Sequence, residues 1–262
     1  MIARVAAAIL LGAIQGVAEW LPISSSGHLA LAQIALGLGA PVAFDALLHL
    51  ATLAVAGIRF RGDLASILRS WSRLDLGSRP GKLGLMILVG NAPTLLMGLA
   101  LRGAFEAMYS DPRAIGIAFL FTGFLLRASK RGGGYRAVGY GEAVLIGLSQ
   151  GLSIAPGISR SGSTIATALL LGIERGEALR FSFLLMFPAV LGALALEAGG
   201  MAGAADIGPL EALAGFSAAA LVGHLSLGLM MRLVSKGRLH WFSYYCWCAG
   251  AIALAYSAAA IR

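Results

Sequence analysis

Between Glu19 and His28 the chain reads EWLPISSSGH, which puts a carboxylate, the hydroxyls of Ser24, Ser25 and Ser26, and an imidazole within ten residues. A serine becomes a nucleophile when a neighbouring base takes its proton. The Ser25–His28 spacing permits a neighbouring imidazole, which makes Ser25 and His28 one candidate pair. Glu19 alternatively binds a divalent cation that activates water or neutralises a diphosphate. A second polar group, Ser159, Arg160, Ser161, Ser163 and Thr164, falls within six residues and is flanked by Gly157 and Gly162. Glycines let backbone N–H groups converge, hydroxyls donate, and a guanidinium makes bidentate contacts to phosphate. A helix starting beside this turn would add its N-terminus to the attraction for an anion. The pattern reads as a phosphate or diphosphate cradle. The competing reading is close helix packing by Ser and Gly, with Arg160 neutralising Glu19.

The elements that must position these groups lie in a membrane. Of 262 residues, 58% are hydrophobic and 12% charged, against roughly a quarter charged in soluble domains. The net charge of +8 does not indicate nucleic-acid binding, because the bases sit in short loops between apolar runs, as membrane topology requires. Residues 59–82 hold Arg59, Arg61, Arg69, Arg73, Arg79 and Lys82. Residues 127–136 hold Arg127, Lys130, Arg131 and Arg136, and residues 232–238 hold Arg232, Lys236 and Arg238. The positive-inside rule assigns these three loops to the cytoplasm, and loops 102–113 and 197–211 to the outside.

Six spans then alternate: 42–60, 83–101, 112–127, 178–197, 209–232 and 241–260. The two polar stretches are left over, and each must return to the side it came from. The expectation is an all-α integral membrane protein with six transmembrane helices and two opposed re-entrant helical hairpins. One hairpin covers residues 1–40 and enters from outside; the other covers 139–174 and enters from inside. Non-helical backbone at membrane depth needs protein or a wet cavity around it, so both turns should be buried.

A shift of 135 positions (Gln15 onto Gln150) sets GAIQGVAEWLPISSSGHLALAQIALG against GLSQGLSIAPGISRSGSTIATALLLG. Gly12, Gln15, Gly16, Ile23, Ser24, Ser26, Gly27 and Gly37 then meet identical residues, while Ser25 meets Arg160. Residues 1–136 and 137–262 read as two inverted-topology repeats within one membrane domain, each bringing one polar turn to a shared pocket near the midplane. Glu19 and Arg160, costly to bury alone, should pair there or bind something charged.

Other polar residues read more plainly. Asp45 and His49 fall on one helix face and read as a buried hydrogen bond, with a direct role in the site as the alternative, and Glu142 is expected to act as an N-terminal helix acid. The run SKRGGGYR is a cytoplasmic loop suited to anionic headgroups. His224 and His240 receive no role. Cys246 and Cys248 have no metal-ligand partners and read as lipid-facing or packed thiols. The apolar N-terminus resembles a signal peptide without a convincing cleavage site, and its place in the repeat keeps it in the mature chain.

At these residues the chain resembles the integral-membrane undecaprenyl-diphosphate phosphatases, the bacitracin-resistance family. QGVAEWLPISSSGHL matches that family's (E/Q)xxxE followed by LPxSSxGH, and PGISRSGST matches its PGxSRSxxT. FDALLHLATLAV and the overall length extend the likeness along the whole chain. The resemblance implies six crossings with two opposed hairpins in the plasma membrane, the pocket opening outward, and removal of the terminal phosphate from a C55 polyprenyl diphosphate for reuse in cell-wall synthesis. It implies Glu19 as the essential acid, Ser25 as nucleophile with His28 its activator, and Arg160 as phosphate ligand, aided by Ser159 and Thr164. Gln15, Ser24, Ser26 and Ser161 complete the expected substrate contacts. Gln15 stands where many members have Glu, which removes one carboxylate from any two-acid metal site. A divalent cation, Mg2+ or Ca2+, is implied by the resemblance alone. Whether the chain forms a homodimer is left open, and a carrier that flips polyprenyl phosphate through the same pocket is the alternative function.

Overall fold

A computed structural model describes residues 2–36, 42–197 and 207–259. The described residues form helices joined by turns, with one isolated parallel bridge between Arg136 and Ile173. In chain order the helices are α1 (Ile2–Trp20), α2 (Ser25–Leu36), α3 (Val42–Arg59), α4 (Arg61–Ser72), α5 (Arg79–Ala100), α6 (Arg102–Met108) and α7 (Pro112–Ala128). They continue as α8 (Tyr140–Leu152), α9 (Arg160–Leu170), α10 (Arg175–Glu197), α11 (Pro209–Ser235) and α12 (Phe242–Ala259).

Helices occupy all six expected spans close to the expected limits, but their lengths separate them. α1, α5, α10 and α11 are each long and apolar enough to cross a membrane, and α3 with α4 would be a fifth span although bent by 79°. Neither α7 nor α12 is among these. α7 has 17 residues, roughly 26 Å at 1.5 Å per residue, and α12 opens with the polar aromatics of FSYYCW. α1, expected as one arm of a hairpin, is itself long enough. The stretch 59–82, expected as a loop, contains α4. The expected outer loop 197–211 lies largely outside the described residues. What stands is an all-helical chain with several membrane-crossing helices.

Both polar stretches break helices, for legible reasons. Pro22 lacks an N–H, and Ser24 takes a left-handed φ of 68° before its hydroxyl caps α2 by accepting from Gly27 N at 3.3 Å. In the second break Gly157 has φ 98°, and Ser159 caps α9 by accepting from Gly162 N at 3.1 Å. The resulting arms α2, α8 and α9 have 12, 13 and 11 residues. At roughly 16–20 Å they cover little more than half of a hydrocarbon core about 30 Å thick.

At the same 135-residue offset, α1, α2, α3, α5 and α7 fall on α8, α9, α10, α11 and α12. Packing exchanges the halves: α1 lies along α11, α8 along α5, and α7 along α12. The backbones approach closely, so a Cβ at Gly16 would sit 2.7 Å from Gly223 N, and one at Gly147 would collide with Gly90 O. Below the tips the core closes on Trp20, fully buried and edge-on to Phe183 at 5.2 Å between ring centroids.

Candidate functional site at the hairpin tips

The two breaks touch. Gly157 N donates to Ser24 Oγ at 3.1 Å, and a Cβ at Gly27 would stand 2.8 Å from Gly157 N. Thr122 of α7 holds the second tip from behind, donating to Gly157 O at 2.9 Å and accepting from Ser159 N at 3.1 Å. Since α2 and α9 both begin here, their N-terminal N–H groups converge on one region, a favourable setting for an anion.

Glu19, buried at the end of α1, is the hub. Arg160 Nη2 from the other half donates to its Oε1. Ser25 Oγ donates to its Oε2 at 2.7 Å, and Gln15 Nε2 to the same oxygen at 3.1 Å. The buried carboxylate thus carries a cation on one oxygen and a hydroxyl on the other, and Arg160 keeps 19% side-chain exposure against 2% for Glu19. The arrangement can bind an anion through Arg160 and take a proton from Ser25 through Glu19.

His28 is placed differently from expectation. Its Nδ1 donates to Ser24 O at 2.8 Å, which leaves Nε2 as the acceptor for Tyr245 OH at 2.6 Å. The ring stacks on Tyr245 and lies edge-on to Phe119. Neither ring nitrogen hydrogen-bonds Ser25; Glu19 holds that contact.

The remaining expected contacts are mostly structural. Ser24 and Ser159 are caps. Ser161 Oγ is 3.4 Å from Ser159 Oγ and 3.5 Å from Leu21 O, and Thr164 Oγ1 donates to Arg160 O at 2.8 Å inside its own helix. Ser26 Oγ is 3.4 Å from Ser24 Oγ and half-buried. Ser163, buried at 1% exposure, has no hydrogen-bond partner for its hydroxyl among the described residues.

His49 belongs to the site, against the expectation of an Asp45–His49 hydrogen bond. Gln15 Nε2 donates to His49 Nδ1 at 2.9 Å, and that nitrogen lies 3.6 Å from Glu19 Oε2. Asp45 accepts instead from Gln33 Nε2, at 3.2 and 3.1 Å. Tyr245 gave no signal in the sequence, and the one signal for His49 was its place in the FDALLHL segment. The second half has no equivalent chemistry. Ile154 and Leu184 stand where Glu19 and His49 would repeat, and Gln150 Nε2 donates to Asn91 Oδ1 and Thr94 Oγ1, both at 3.1 Å. One site results from two tips.

Outside the site, Glu142 accepts from Gly139 N at the start of α8 and pairs with Arg136, as expected of an N-terminal acid. Cys246 is buried with Sγ 3.5 Å from Pro22 O, and Cys248 is exposed.

The residues present do not build a divalent-cation site. Mg2+ or Ca2+ needs six or more oxygen ligands, and no three His, Cys, Asp or Glu side chains converge among the described residues. Glu19 already serves three donors, and the neighbouring guanidinium opposes a second cation.

Comparison with known proteins points the same way as the geometry. Residues 8–252 match the family model described as bacitracin resistance protein BacA. A protein of Korarchaeum cryptofilum named undecaprenyl-diphosphatase is 41% identical over 251 residues, covering 93% of this chain and 95% of its own length. Namesakes from Carboxydothermus hydrogenoformans and Methanosphaera stadtmanae are 40% and 38% identical, covering 96% and 94% of this chain and 97% and 96% of their own lengths.

Proposed function

This chain belongs to the bacitracin resistance protein BacA family, and from that premise we propose that it hydrolyses undecaprenyl diphosphate to undecaprenyl phosphate and inorganic phosphate at the meeting point of its two hairpin tips. The observation that carries the reading is Glu19, touching Ser25 with one oxygen and Arg160 of the other half with the other.

The resting pairs define an order of events. Diphosphate oxygens compete with Glu19 for Arg160, and the N-termini of α2 and α9 add their N–H groups. When Arg160 turns to the substrate, one oxygen of Glu19 is released while the other stays 2.7 Å from Ser25 Oγ. Ser25 Oγ attacks the terminal phosphorus as Glu19 takes its proton. The bond to the bridging oxygen breaks, and undecaprenyl phosphate leaves with that electron pair. Water then attacks the phosphoserine, and Ser25 recovers its proton from Glu19 as phosphate departs.

The prenyl tail lies between helices while the diphosphate reaches the tips. The finer topology we infer has six crossings and two opposed hairpins in the plasma membrane, with the pocket opening outward. The short arms α2, α8 and α9, the repeated helix order and the basic loops support it.

The test is phosphate release from C55 diphosphate by protein purified in detergent. Wild type should turn over, while Ser25→Ala, Glu19→Gln and Arg160→Ala, each folded, should lose at least about 100-fold. Near-normal turnover by Ser25→Ala would replace phosphoserine with direct attack by water. Bound lipid without release in wild type would move the reading to a carrier.

A further inference from the structure

The corner between α4 and α5 takes no part in the chemistry above. The chain turns through 79° from α3 into α4, the angle that lays a helix along a bilayer surface when its predecessor stands upright. α4 is two-faced. Ile67 and Ser70 are buried, and Trp71 packs on Gly84 while its Nε1 donates to Gly81 O at 3.3 Å.

The charges are sorted between these faces. Asp63, the acid of α4, turns inward and accepts from Arg180 of α10, Nε at 3.1 Å and Nη2 at 2.5 Å. The outer face keeps Arg61, Arg69 and Arg73, all exposed and none in an ion pair among the described residues. Beside them Leu68 and Leu74 are 66% and 86% exposed. A cleft of about 260 Å³ opens between the end of α4 and the start of α5, lined by Ser66, Arg69, Arg73, Asp75 and Ser78. Asp75, whose Oδ1 accepts from Ser78 N at 3.0 Å, offsets one of the two guanidiniums and leaves the lining net positive.

We propose that this corner seats the headgroup of an anionic phospholipid from the leaflet at the α4 end of the protein. Arg69 and Arg73 hold the phosphate by charge-assisted hydrogen bonds, and Leu68 and Leu74 reach the acyl chains. Inward capture of Asp63 by Arg180 leaves the seat cationic and selects against neutral lipid. A soluble partner would have no use for leucines placed where a bilayer surface should run.

The test titrates detergent-purified protein with phosphatidylglycerol or phosphatidylcholine and counts bound lipids by native mass spectrometry. Wild type should take up phosphatidylglycerol in preference. Losing both arginines in Arg69→Gln/Arg73→Gln should weaken that uptake roughly 10- to 30-fold, at the strength expected per basic residue near an anionic surface, and leave phosphatidylcholine unchanged. Arg69→Lys/Arg73→Lys should retain most of it, which separates charge from folding. Arg232→Gln/Lys236→Gln removes equal charge from another basic loop, where both side chains are exposed, and should change uptake by less than about twofold. Equal uptake of both lipids by wild type, or equal losses in the two charge-removing pairs, would overturn the seat. Phosphate release by the Arg69/Arg73 variants stays at the wild-type rate, so this result stands apart from the hydrolytic reading.

Discussion

A buried carboxylate that serves Arg160, Ser25 and Gln15 at once has few orientations left, and in the proposed mechanism that restriction prepares Glu19 to receive the Ser25 proton. The assignment separates Glu19 from His28, whose nitrogens face Ser24 O and Tyr245. With labelled substrate, His28→Asn should still accumulate phosphate on Ser25, whereas Glu19→Gln should not; the reverse pattern would make His28 the base. His49 acts one step back, by giving Gln15 an acceptor and fixing the amide that steadies Glu19. Hydrogen bonds to charged groups contribute about 1.5–3 kcal/mol. Steady-state kinetics of His49→Leu should therefore show kcat reduced by at least about 10-fold with KM little changed, and His49→Gln should recover part of the loss. Equal effects on kcat and stability would reduce His49 to packing.

The helices work by where they end. α2 and α9 begin at their capping serines, so their N-terminal N–H groups are delivered to the tips instead of lying within a continuous span. α10 starts just after α9 with Glu174 as its cap, accepting from Gly176 N at 2.9 Å and Glu177 N at 2.8 Å. Those two N–H groups hold the Glu174 carboxyl below its ordinary range. A lowered folded-state pKa stabilises the fold above the unfolded-state value, and the gain is lost as pH falls through the folded-state value. In detergent, Glu174→Gln should melt below wild type near pH 7, and the two curves should converge as pH drops below about 4. A gap that is constant with pH would remove the charge from the explanation.

At the scale of the whole molecule, the site exists because two distant breaks meet, and Ser24 is the link: one hydroxyl accepts from Gly27 N in its own helix and Gly157 N in the other tip. Ser24→Ala strands buried N–H groups, at about 1–3 kcal/mol. It should lower the melting temperature and raise KM for the diphosphate more than Ser26→Ala does, since among the described residues the Ser26 hydroxyl has only a long contact to Ser24. Equal effects of the two substitutions would deny the link. Much of this was legible along the chain. The apolar runs, the basic loops and the breaks at Pro22 and Gly157 are local, because helix propensity, charge placement and turn residues act within a few positions. α4 does carry a local signal, the helical spacing of Leu64, Ile67, Leu68 and Trp71, which the density of bases across 59–82 conceals. Other features were not legible there. Tyr245 reached His28 across 217 residues, and His49 chose Gln15 over Asp45. Sequence by itself determined which groups are available and where helices must break. Only the tertiary structure decided which groups touch, because hydrogen-bond partners depend on interhelical packing at a scale of tenths of an ångström, which no local pattern carries.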